Sequence, residues 1–497
     1  MAKRKLDTPP ETSHNLLQYE QGTIRKSHIG RLTIALVYPN IYSVGMSNLA
    51  IHTLYRLFNA RDELVCERFF YDQSESGMPC SLESGKRLAE FDIIACSLSF
   101  ELDYLNLIRL FHRAQIPLLQ KERGEQYPLI IAGGIAISAN PEPLADILDA
   151  VVLGEAEELI ELLLDSWLRS NDIPRVPGKK TGILHQLSQV SGIYVPNIMD
   201  SAEHLPRLQV ADLNRYPTVS QILTPNTEFK NMFLIELGRG CPYRCRFCLA
   251  GCFYAPVRYR SLEHLRTQIE QSRQFTDGKT YPRIGIVATA IADYPQIKEF
   301  CAEMLDKKIA VSFASLRADK APDSLLQLLK QSGQKTVTFA PEAGSESLRN
   351  YIGKPITESA LLNLVERSVS IGLLNIKLYF MIGLPHETEA DIVALISLSK
   401  KLRDTLLVAS KPYGRAGKLI IAITPFIPKK GTVFENEPMA SRWELNKKSK
   451  LIREHLRKEP NLQFQIAQPK AAELEAMISL GERELGRRLI ALVFDSF

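Results

Sequence analysis

Two series of short apolar runs, each alternating with amphipathic segments, restrict the folds open to this chain. The first series spans residues 32–168, and its apolar runs have the length of strands. The predicted strands are Leu32–Tyr38, Leu64–Phe70, Ile93–Ser97, Leu129–Ala132 and Ala150–Leu153. The predicted helices are Asn48–Phe58, Tyr104–Ala114 and Glu155–Leu168. This alternation predicts an α/β domain with a doubly wound parallel sheet, whose ligands bind beyond the carboxyl ends of the strands.

The second series predicts a partial barrel. Its strand-length runs are Met232–Leu237, Arg283–Ala288, Ile309–Ser315, Thr336–Ala340, Asn375–Ile382 and Lys418–Thr424. Helix-length amphipathic segments separate them, so they predict a (β/α)6 partial barrel of the TIM type. In such barrels the functional residues project from the carboxyl ends of the strands. Beyond Phe434, Trp443–Arg457 and Ala471–Leu492 have helical spacing and predict a helical C-terminal segment.

The stretch between the two series differs from both. Residues 171–230 contain six prolines and one strand-like run, Gly192–Val195, which favours an extended linker. The predicted organisation is a leader at 1–30, a first domain at 31–170, the linker at 171–230, the barrel at 231–435 and the helical segment at 436–497.

Composition excludes several functional classes. The net charge of +5 is a mild excess over 61 basic and 56 acidic residues, so there is no strong nucleic-acid signal. The longest apolar runs reach about half of the roughly 20 residues that a membrane helix needs, so no membrane partner is expected. No signal peptide is recognisable at the N-terminus, and a cytoplasmic location is expected. In that reducing compartment, the eight cysteines are expected to be thiols.

Four of the eight cysteines fall between residues 241 and 252. Cys241, Cys245 and Cys248 form a C-x3-C-x2-C pattern, and Cys252 follows. A structural zinc site usually uses two separated cysteine pairs, which one short loop fits poorly. Three close thiolates suit three irons of a cubane cluster and leave the fourth iron open, unless Cys252 closes it. The remaining cysteines, Cys66, Cys80, Cys96 and Cys301, are interpreted as small buried hydrophobes.

This spacing, with the aromatic Phe247 before the third cysteine, resembles the signature of the radical S-adenosylmethionine (SAM) superfamily. The resemblance implies a 4Fe-4S cluster on Cys241, Cys245 and Cys248 that binds SAM at its open iron. It also implies reductive cleavage of SAM to a 5′-deoxyadenosyl radical, with an electron donor such as flavodoxin or ferredoxin. The cofactors perform this chemistry, and the protein positions them.

Later segments extend the resemblance to SAM-binding positions. Ser315 and Arg317 end the predicted third strand, Glu342 follows the fourth, and Ile382-Gly383 ends the fifth. Together with Phe247, the resemblance implies that these residues contact SAM. For the third- and fourth-strand segments, a helix cap with a surface ion pair is the alternative. The second strand carries Ala288-Thr289-Ala290 where Gly-Gly-Glu is common, so its contact to the SAM amine is left open.

The first domain is similar to the cobalamin-binding domain that precedes the barrel in one branch of this superfamily. Tyr38-Pro39-Asn40, Ala132-Gly133-Gly134 and Gly154-Glu155 carry the similarity. It implies that Gly133, Gly134, Gly154 and Glu155 contact cobalamin. The Asp-x-His-x-x-Gly element that supplies an axial histidine is absent. An empty or repurposed sheet is therefore the alternative.

Three functions remain open at this stage. The first is cobalamin-linked radical SAM methyl transfer to an unactivated carbon. The second is radical SAM chemistry without cobalamin, as a rearrangement or a methylthiolation, and the third is a non-catalytic iron-sulfur or zinc protein. Neither the substrate, small or macromolecular, nor a catalytic side chain is identified. The basic residues near the cysteines either orient an anionic substrate or face solvent; they are Arg239, Arg244, Arg246, Arg258 and Arg260.

Overall fold

The computed structural model describes residues 16–74, 77–161 and 179–494, which fall into two compact units. The N-terminal unit contains the described residues up to 210, residues 216–233 and the residues from 482 onward. The barrel unit contains residues 211–215 and 234–481. The chain therefore leaves the N-terminal unit, forms the barrel unit and returns.

The N-terminal unit is built on one six-stranded sheet. Its strands are β1 Leu32–Tyr38, β2 Leu64–Phe70, β3 Ile93–Ser97, β4 Leu129–Gly133, β5 Ala150–Val152 and β6 Ile193–Tyr194. Their spatial order is β2-β1-β3-β4-β5-β6, with β1 to β5 parallel and β6 antiparallel to β5. The strand order reverses between β1 and β3, which makes that position the switch point of the sheet. The predicted doubly wound sheet is confirmed.

The sequence predicted two of the described helices of this unit, Leu49–Asn59 and Asp103–Arg113, each to within one residue. It did not predict Tyr42–Gly45, Ile135–Ala139 or Lys179–Ser188. Residues 157–161 are helical, and the rest of the predicted helix Glu155–Leu168 lies outside the described residues. The helix Leu485–Phe494 was expected in a separate C-terminal segment. It packs on Asp103–Arg113, where the rings of His112 and Phe494 have centroids 4.6 Å apart.

The expected leader and linker differ from the described structure. Glu20 lies before β1 and is buried against Arg68. In the linker, Ile193–Tyr194 forms β6 because the free edge of β5 offers unpaired backbone groups. The imidazole Nδ1 of His52 accepts hydrogen bonds from the backbone N–H groups of residues 221 and 222, at 3.2 and 3.3 Å. Apart from residues 211–215, which group with the barrel unit, the described parts of both segments are therefore folded onto the N-terminal unit.

The barrel unit continues the strand series. Its strands are β7 Met232–Glu236, β8 Gly238–Arg239, β9 Arg258–Tyr259, β10 Arg283–Val287, β11 Val311–Phe313, β12 Thr336–Glu342, β13 Asn375–Ile382, β14 Lys418–Pro425 and β15 Leu462–Ile466. One sheet has the order β11-β10-β7 and the other β12-β13-β14-β15. A parallel bridge between Leu316 and Phe339 joins the two sheets. All six predicted strands therefore follow one another in space as a partial barrel.

The helices of the barrel unit alternate with these strands. They are Leu249–Phe253, Leu262–Gln271, Ile297–Asp306, Asp323–Gln331, Glu346–Tyr351, Glu358–Ser370, Glu389–Ser410, Arg442–Leu456 and Pro469–Leu480. None of the described helices combines the length and the apolar character that crossing a bilayer requires.

Strand β15 corrects the expectation of a purely helical C-terminal segment. It pairs in parallel with β14 and extends the sheet by one strand. Its five residues alternate, with Gln463 and Gln465 exposed and Leu462 buried. Such a short run with polar residues on one face gives a weak strand signal.

The Arg68 guanidinium is a buried charge whose removal we expect to destabilise the N-terminal unit. It is fully buried and pairs with Glu20 and Glu83, each at 2.7 Å. Arg68→Met leaves two carboxylates without their counter-ion, so the free energy of unfolding should fall by about 3–5 kcal/mol. Urea denaturation followed by circular dichroism measures this. Arg442→Met, which breaks an exposed pair with Glu473, should change it by less than about 1 kcal/mol. Equal stabilities of the two variants would contradict the prediction.

Candidate functional site

The three predicted cluster cysteines lie in the loop between β8 and the helix Leu249–Phe253. Cys245 is buried, and Cys241 and Cys248 are partly buried. Burial raises the pKa of the Cys245 thiol to about 11; Lys354 and Arg317 oppose this shift, and Cys248 and Cys241 add to it. The three thiols therefore lie within electrostatic reach of one another and of two cations.

This donor set fits an iron-sulfur cluster. Soft thiolates are the ligands that such clusters prefer, and nearby cations balance the negative charge of a thiolate-bound cluster. Among the described residues, no three His, Cys, Asp or Glu side chains are placed as the ligands of one metal ion. A cluster presents a separate iron to each thiolate and so requires less convergence than a single zinc ion does.

Backbone hydrogen bonds fix the cysteine loop to the ends of two other strands. The N–H of Arg246 donates to the carbonyl of Ile352 at 3.0 Å, in the segment after β12. The carbonyl of Arg246 accepts from the N–H of Phe434 at 3.1 Å, in the segment after β14. The Cys245 Sγ lies 3.6 Å from the carbonyl oxygen of Gly353. The loop is thus held from both sides.

Glycines permit the close backbone contacts within this loop. A Cβ on Gly251 would stand 2.5 Å from the carbonyl oxygen of Tyr243. Gly240 has φ +90°, and a Cβ there would overlap the carbonyl of Tyr254. The backbone approach that closes the loop leaves no room for a side chain at either position.

Phe247 anchors the loop in a small apolar cluster. The buried members of this cluster are Ala343, Leu348, Ile352, Leu384, Phe426 and Phe434, and Phe247, Tyr351 and Met381 pack against it. The Arg246 guanidinium lies over the Tyr351 ring, 4.9 Å from its centroid. Phe247 therefore has a packing role in addition to any contact with SAM.

The residues predicted at the third and fourth strands surround the same loop. The Arg317 guanidinium stacks on the ring of Tyr243 at 3.8 Å and pairs with Asp319 at 2.8 Å. Glu342 pairs with Lys354 at 2.8 Å and has φ +69°, a conformation rare for a residue other than glycine. Backbone strain of this kind concentrates at functional sites. Ser315 is exposed beside this group.

At the fifth strand, the protein itself uses the backbone polar atoms. The carbonyl of Ile382 accepts from the N–H of Phe426 at 2.8 Å, and the N–H of Gly383 donates to Glu387 at 2.6 Å. A Cβ on Gly383 would stand 2.8 Å from Leu445, in the helix Arg442–Leu456. The Ile382 carbonyl and the Gly383 N–H are therefore already bonded within the protein.

Two of the five basic residues near the cysteines have a structural role. Arg239 and Arg260 both pair with the buried Glu236, at 3.0 and 2.7 Å. The Glu236 carboxyl keeps a lowered pKa, because the two arginines outweigh the cost of its burial. Arg246 is exposed, with its guanidinium over the Tyr351 ring. Sequence reasoning missed Glu236, whose signal is its place at the end of β7, directly before the loop.

Three of the four remaining cysteines confirm the interpretation as buried hydrophobes. Cys66, Cys96 and Cys301 are buried, whereas Cys80 is exposed and corrects that expectation. Cys66 lies in β2 and Cys96 in β3, with β1 between the two strands. This separation gives no support to a second cysteine-bound cluster in the N-terminal unit.

Three of the four residues predicted to contact cobalamin pack closely against, or bond to, another segment of the chain. Gly154 has φ +98° and lies against the backbone of Leu208, and Glu155 accepts a hydrogen bond from the N–H of Val210 at 2.8 Å. Gly134 has φ +118° and packs on the backbone of Leu98. Gly133, the last residue of β4, has only ordinary contacts. Gly134 thus holds the segment after β3, while Gly154 and Glu155 hold the segment at 208–210.

The switch point itself has features that the sequence did not reveal. Ile41, after β1, is 42% exposed and Phe100, after β3, is 58% exposed. Close by in sequence, Asn40 donates to Oδ1 of the buried Asp103 at 2.7 Å. Asp103 Oδ2 is buried, and burial raises the pKa of this carboxyl to about 6 against the opposing hydrogen bonds of Asn40 and Asn106. Exposed apolar side chains beside a hydrogen-bonding carboxyl suit a large flat ligand that carries amide groups at its rim.

Comparison with known proteins agrees with both units. A family described as "Radical SAM superfamily" matches residues 235–398, and "Radical SAM proteins, N-terminal" matches residues 50–196. The uncharacterised protein MJ0966 of Methanocaldococcus jannaschii is 32% identical over 428 residues, which cover 86% of this chain and 84% of that protein. The chain belongs to the radical SAM superfamily. It is an enzyme of this class, for which the family implies a 4Fe-4S cluster and SAM.

Two more distant similarities concern the branch. The uncharacterised methyltransferase PH0819 of Pyrococcus horikoshii is 25% identical over 291 residues, covering 55% of this chain and 58% of that protein. The solved structure of OxsB, a cobalamin-dependent SAM radical enzyme with aqua-cobalamin and SAM bound, matches with a TM-score of 0.51 at 15% identity. That match covers 78% of this chain but 55% of OxsB, so it supports the two-domain fold alone.

The close contact at Gly251 predicts how the cysteine loop responds to one added methyl group. Gly251→Ala places a Cβ against the Tyr243 carbonyl, so the loop must open and the bound iron should fall by at least about half. Iron analysis after anaerobic reconstitution measures this. Gly182→Ala is the control, because a Cβ there meets nothing within 4 Å. Full iron content in Gly251→Ala would show that the loop tolerates the shift.

Proposed function

We propose that Cys241, Cys245 and Cys248 bind a 4Fe-4S cluster and that the enzyme cleaves SAM reductively. The observation that carries this proposal is the placement of three thiols in one loop, beside Arg317 and Lys354 and fixed by the backbone bonds of Arg246. Cys252 lies in the following helix, outside the C-x3-C-x2-C pattern, and we assign it no iron. This leaves one iron for SAM.

The residues around the loop would hold SAM. Arg317 and Glu342 offer a guanidinium and a carboxylate for its carboxylate and ribose hydroxyls, and Phe247, Ile382 and Gly383 offer packing surfaces. Ser315 adds an exposed hydroxyl beside Arg317. We also infer a small reducing protein such as flavodoxin or ferredoxin as the electron donor, and a cytoplasmic location.

We propose that the N-terminal unit binds cobalamin and that the reaction is methyl transfer to an unactivated carbon. When bound, the cluster with SAM supplies a 5′-deoxyadenosyl radical, and a methylated corrin supplies the methyl group. Phe100 and Ile41 would contact the face of the macrocycle, and Asp103 would accept from its amide groups. The switch-point position, the fold shared with OxsB and the methyltransferase name of PH0819 support this assignment.

Cysteine variants test the cluster assignment. Cys241→Ala, Cys245→Ala and Cys248→Ala should each lose the visible absorption of the cluster, because each removes one iron ligand. Formation of 5′-deoxyadenosine by the reduced protein should fall to background. The measurements are iron analysis, optical spectra and chromatography of the SAM cleavage products.

Cys252→Ala is the matched control for these variants. It should keep about four irons per chain and cleave SAM at the wild-type rate. Loss of the cluster in Cys252→Ala, or one zinc and no iron in the wild type, would overturn the proposed function.

Binding of hydroxocobalamin tests the second assignment. Phe100→Ala and Asp103→Leu should weaken it by about tenfold or more, because each removes a contact with the ligand. Ile29→Ala is the control, since Ile29 is 89% exposed in the same unit but lies before β1, at the opposite end of that strand from these loops. Retention of the corrin through gel filtration and optical titration measure binding. A wild-type protein that releases the corrin completely would instead favour radical SAM chemistry without cobalamin.

A further inference from the structure

The central strand of the larger barrel sheet, β13, has one packed face and one open face. Ile376, Leu378, Phe380 and Ile382 are each at most 1% exposed and form the packed face. Asn375, Lys377, Tyr379 and Met381 alternate with them, and Tyr379 is 37% exposed. Successive side chains of a strand point to opposite faces, so these four share the open face.

The neighbouring strands continue this open face. Lys377 is in register with Thr338 of β12 and Ile420 of β14, and Tyr379 is in register with Ala422. Partners in register on parallel strands stand on the same face of a sheet. On β15, Gln463 is in register with Ile420 and Gln465 with Ala422, and both glutamines are exposed. The face is therefore accessible and of mixed polarity, with Lys377 in its middle and the exposed Lys418, in register with Asn375, at its beginning.

Lys377 has no anionic partner among the described residues. Its ammonium lies 4.8 Å from the centroid of the Tyr379 ring, a cation–π contact. A lysine in the middle of a sheet is usually paired, because a half-buried charge without a counter-ion is costly. An aromatic ring compensates only part of that cost.

The open face also leads to the cysteine loop. Met381, two residues beyond Tyr379 on the same face, packs in the apolar cluster that holds Phe247. At about 3.3 Å per residue, Lys377 lies roughly 13 Å before Met381 along the strand. A ligand on this face would reach from Lys377 toward the loop that holds the cysteines.

We infer that Lys377 binds an acidic group, a carboxylate or a phosphate, of the substrate, and that Tyr379 packs against the adjoining part of it. This inference rests on the proposed function and names the substrate class: an elongated anion whose charged end lies about 13 Å along β13 from the cysteine-loop end. Lys377 is a specificity-determining residue in this assignment. The reacting carbon lies at the far end of the molecule.

Equilibrium dialysis of the reconstituted protein, with SAM present, tests this site. The probes are radiolabelled inorganic phosphate and radiolabelled acetate at constant ionic strength. Phosphate represents a phosphate group of the substrate, and acetate represents a carboxylate. We expect one of the two to bind the wild type and Lys377→Arg, and to bind Lys377→Gln at least about tenfold more weakly. Lys298→Gln is the control, because Lys298 is an exposed lysine in the helix Ile297–Asp306; this variant should bind the anion like the wild type. Unchanged binding in Lys377→Gln, or binding of neither anion to the wild type, overturns the inference.

Protection from acetylation provides a second measurement on the wild-type protein. The bound anion should slow acetylation of Lys377 severalfold, as read by mass spectrometry, and should leave Lys298 unaffected. Equal acetylation of Lys377 with and without the anion overturns the inference. Neither measurement requires SAM cleavage. If the anion protects Lys377 from acetylation but the wild-type protein forms no 5′-deoxyadenosine, the proposed function is refuted and the inference about Lys377 is not.

Discussion

The site depends on the backbone of Arg246, which is hydrogen-bonded on both sides. Its N–H and its carbonyl connect the cysteine loop to the segments that follow β12 and β14. These segments lie about 100 and 190 residues further along the chain, so the loop takes its shape only when the sheet has formed. Glu342 ends β12, and the segments after β12 and β14 contain Lys354 and most of the apolar cluster around Phe247. The thiols and the SAM-binding positions are thus parts of one packed structure rather than independent motifs.

Local pattern was sufficient to predict most of the fold. β1, β2, β3 and β13 begin and end at the predicted residues, because apolar residues form most of each run, even though Glu67 and Arg68 interrupt β2 and Lys377 interrupts β13. The three cluster cysteines could also be recognised from a local pattern, since their spacing within eight residues is itself the signature of an iron-sulfur cluster site. β15 was missed because five residues with two exposed glutamines do not form an apolar run. β6 was recognised as strand-like but placed in a linker, because its antiparallel pairing depends on the distant edge of β5.

The features that sequence did not predict depend on contacts between distant residues. Arg260 was expected to face solvent or substrate, but it is buried because Glu236 stands beside it. Gly154 and Glu155 follow a strand as a ligand-binding loop should, yet the segment at 208–210 occupies them. Asp103 acquires its raised pKa from burial that only the packed domain supplies. In each case the residue type was visible, and its partner or environment was set by tertiary structure.

The return of the chain to the N-terminal unit has a consequence for biosynthesis. The helix Leu485–Phe494, which covers Asp103–Arg113, is translated only after the whole barrel unit, whereas Asp103–Arg113 is translated before it. The apolar side of Asp103–Arg113 therefore stays uncovered while the whole barrel is translated, a period in which exposed core surface favours aggregation or chaperone binding. A truncation that removes Leu485–Phe494 would accordingly uncover a helix that lies more than 370 residues earlier in the sequence.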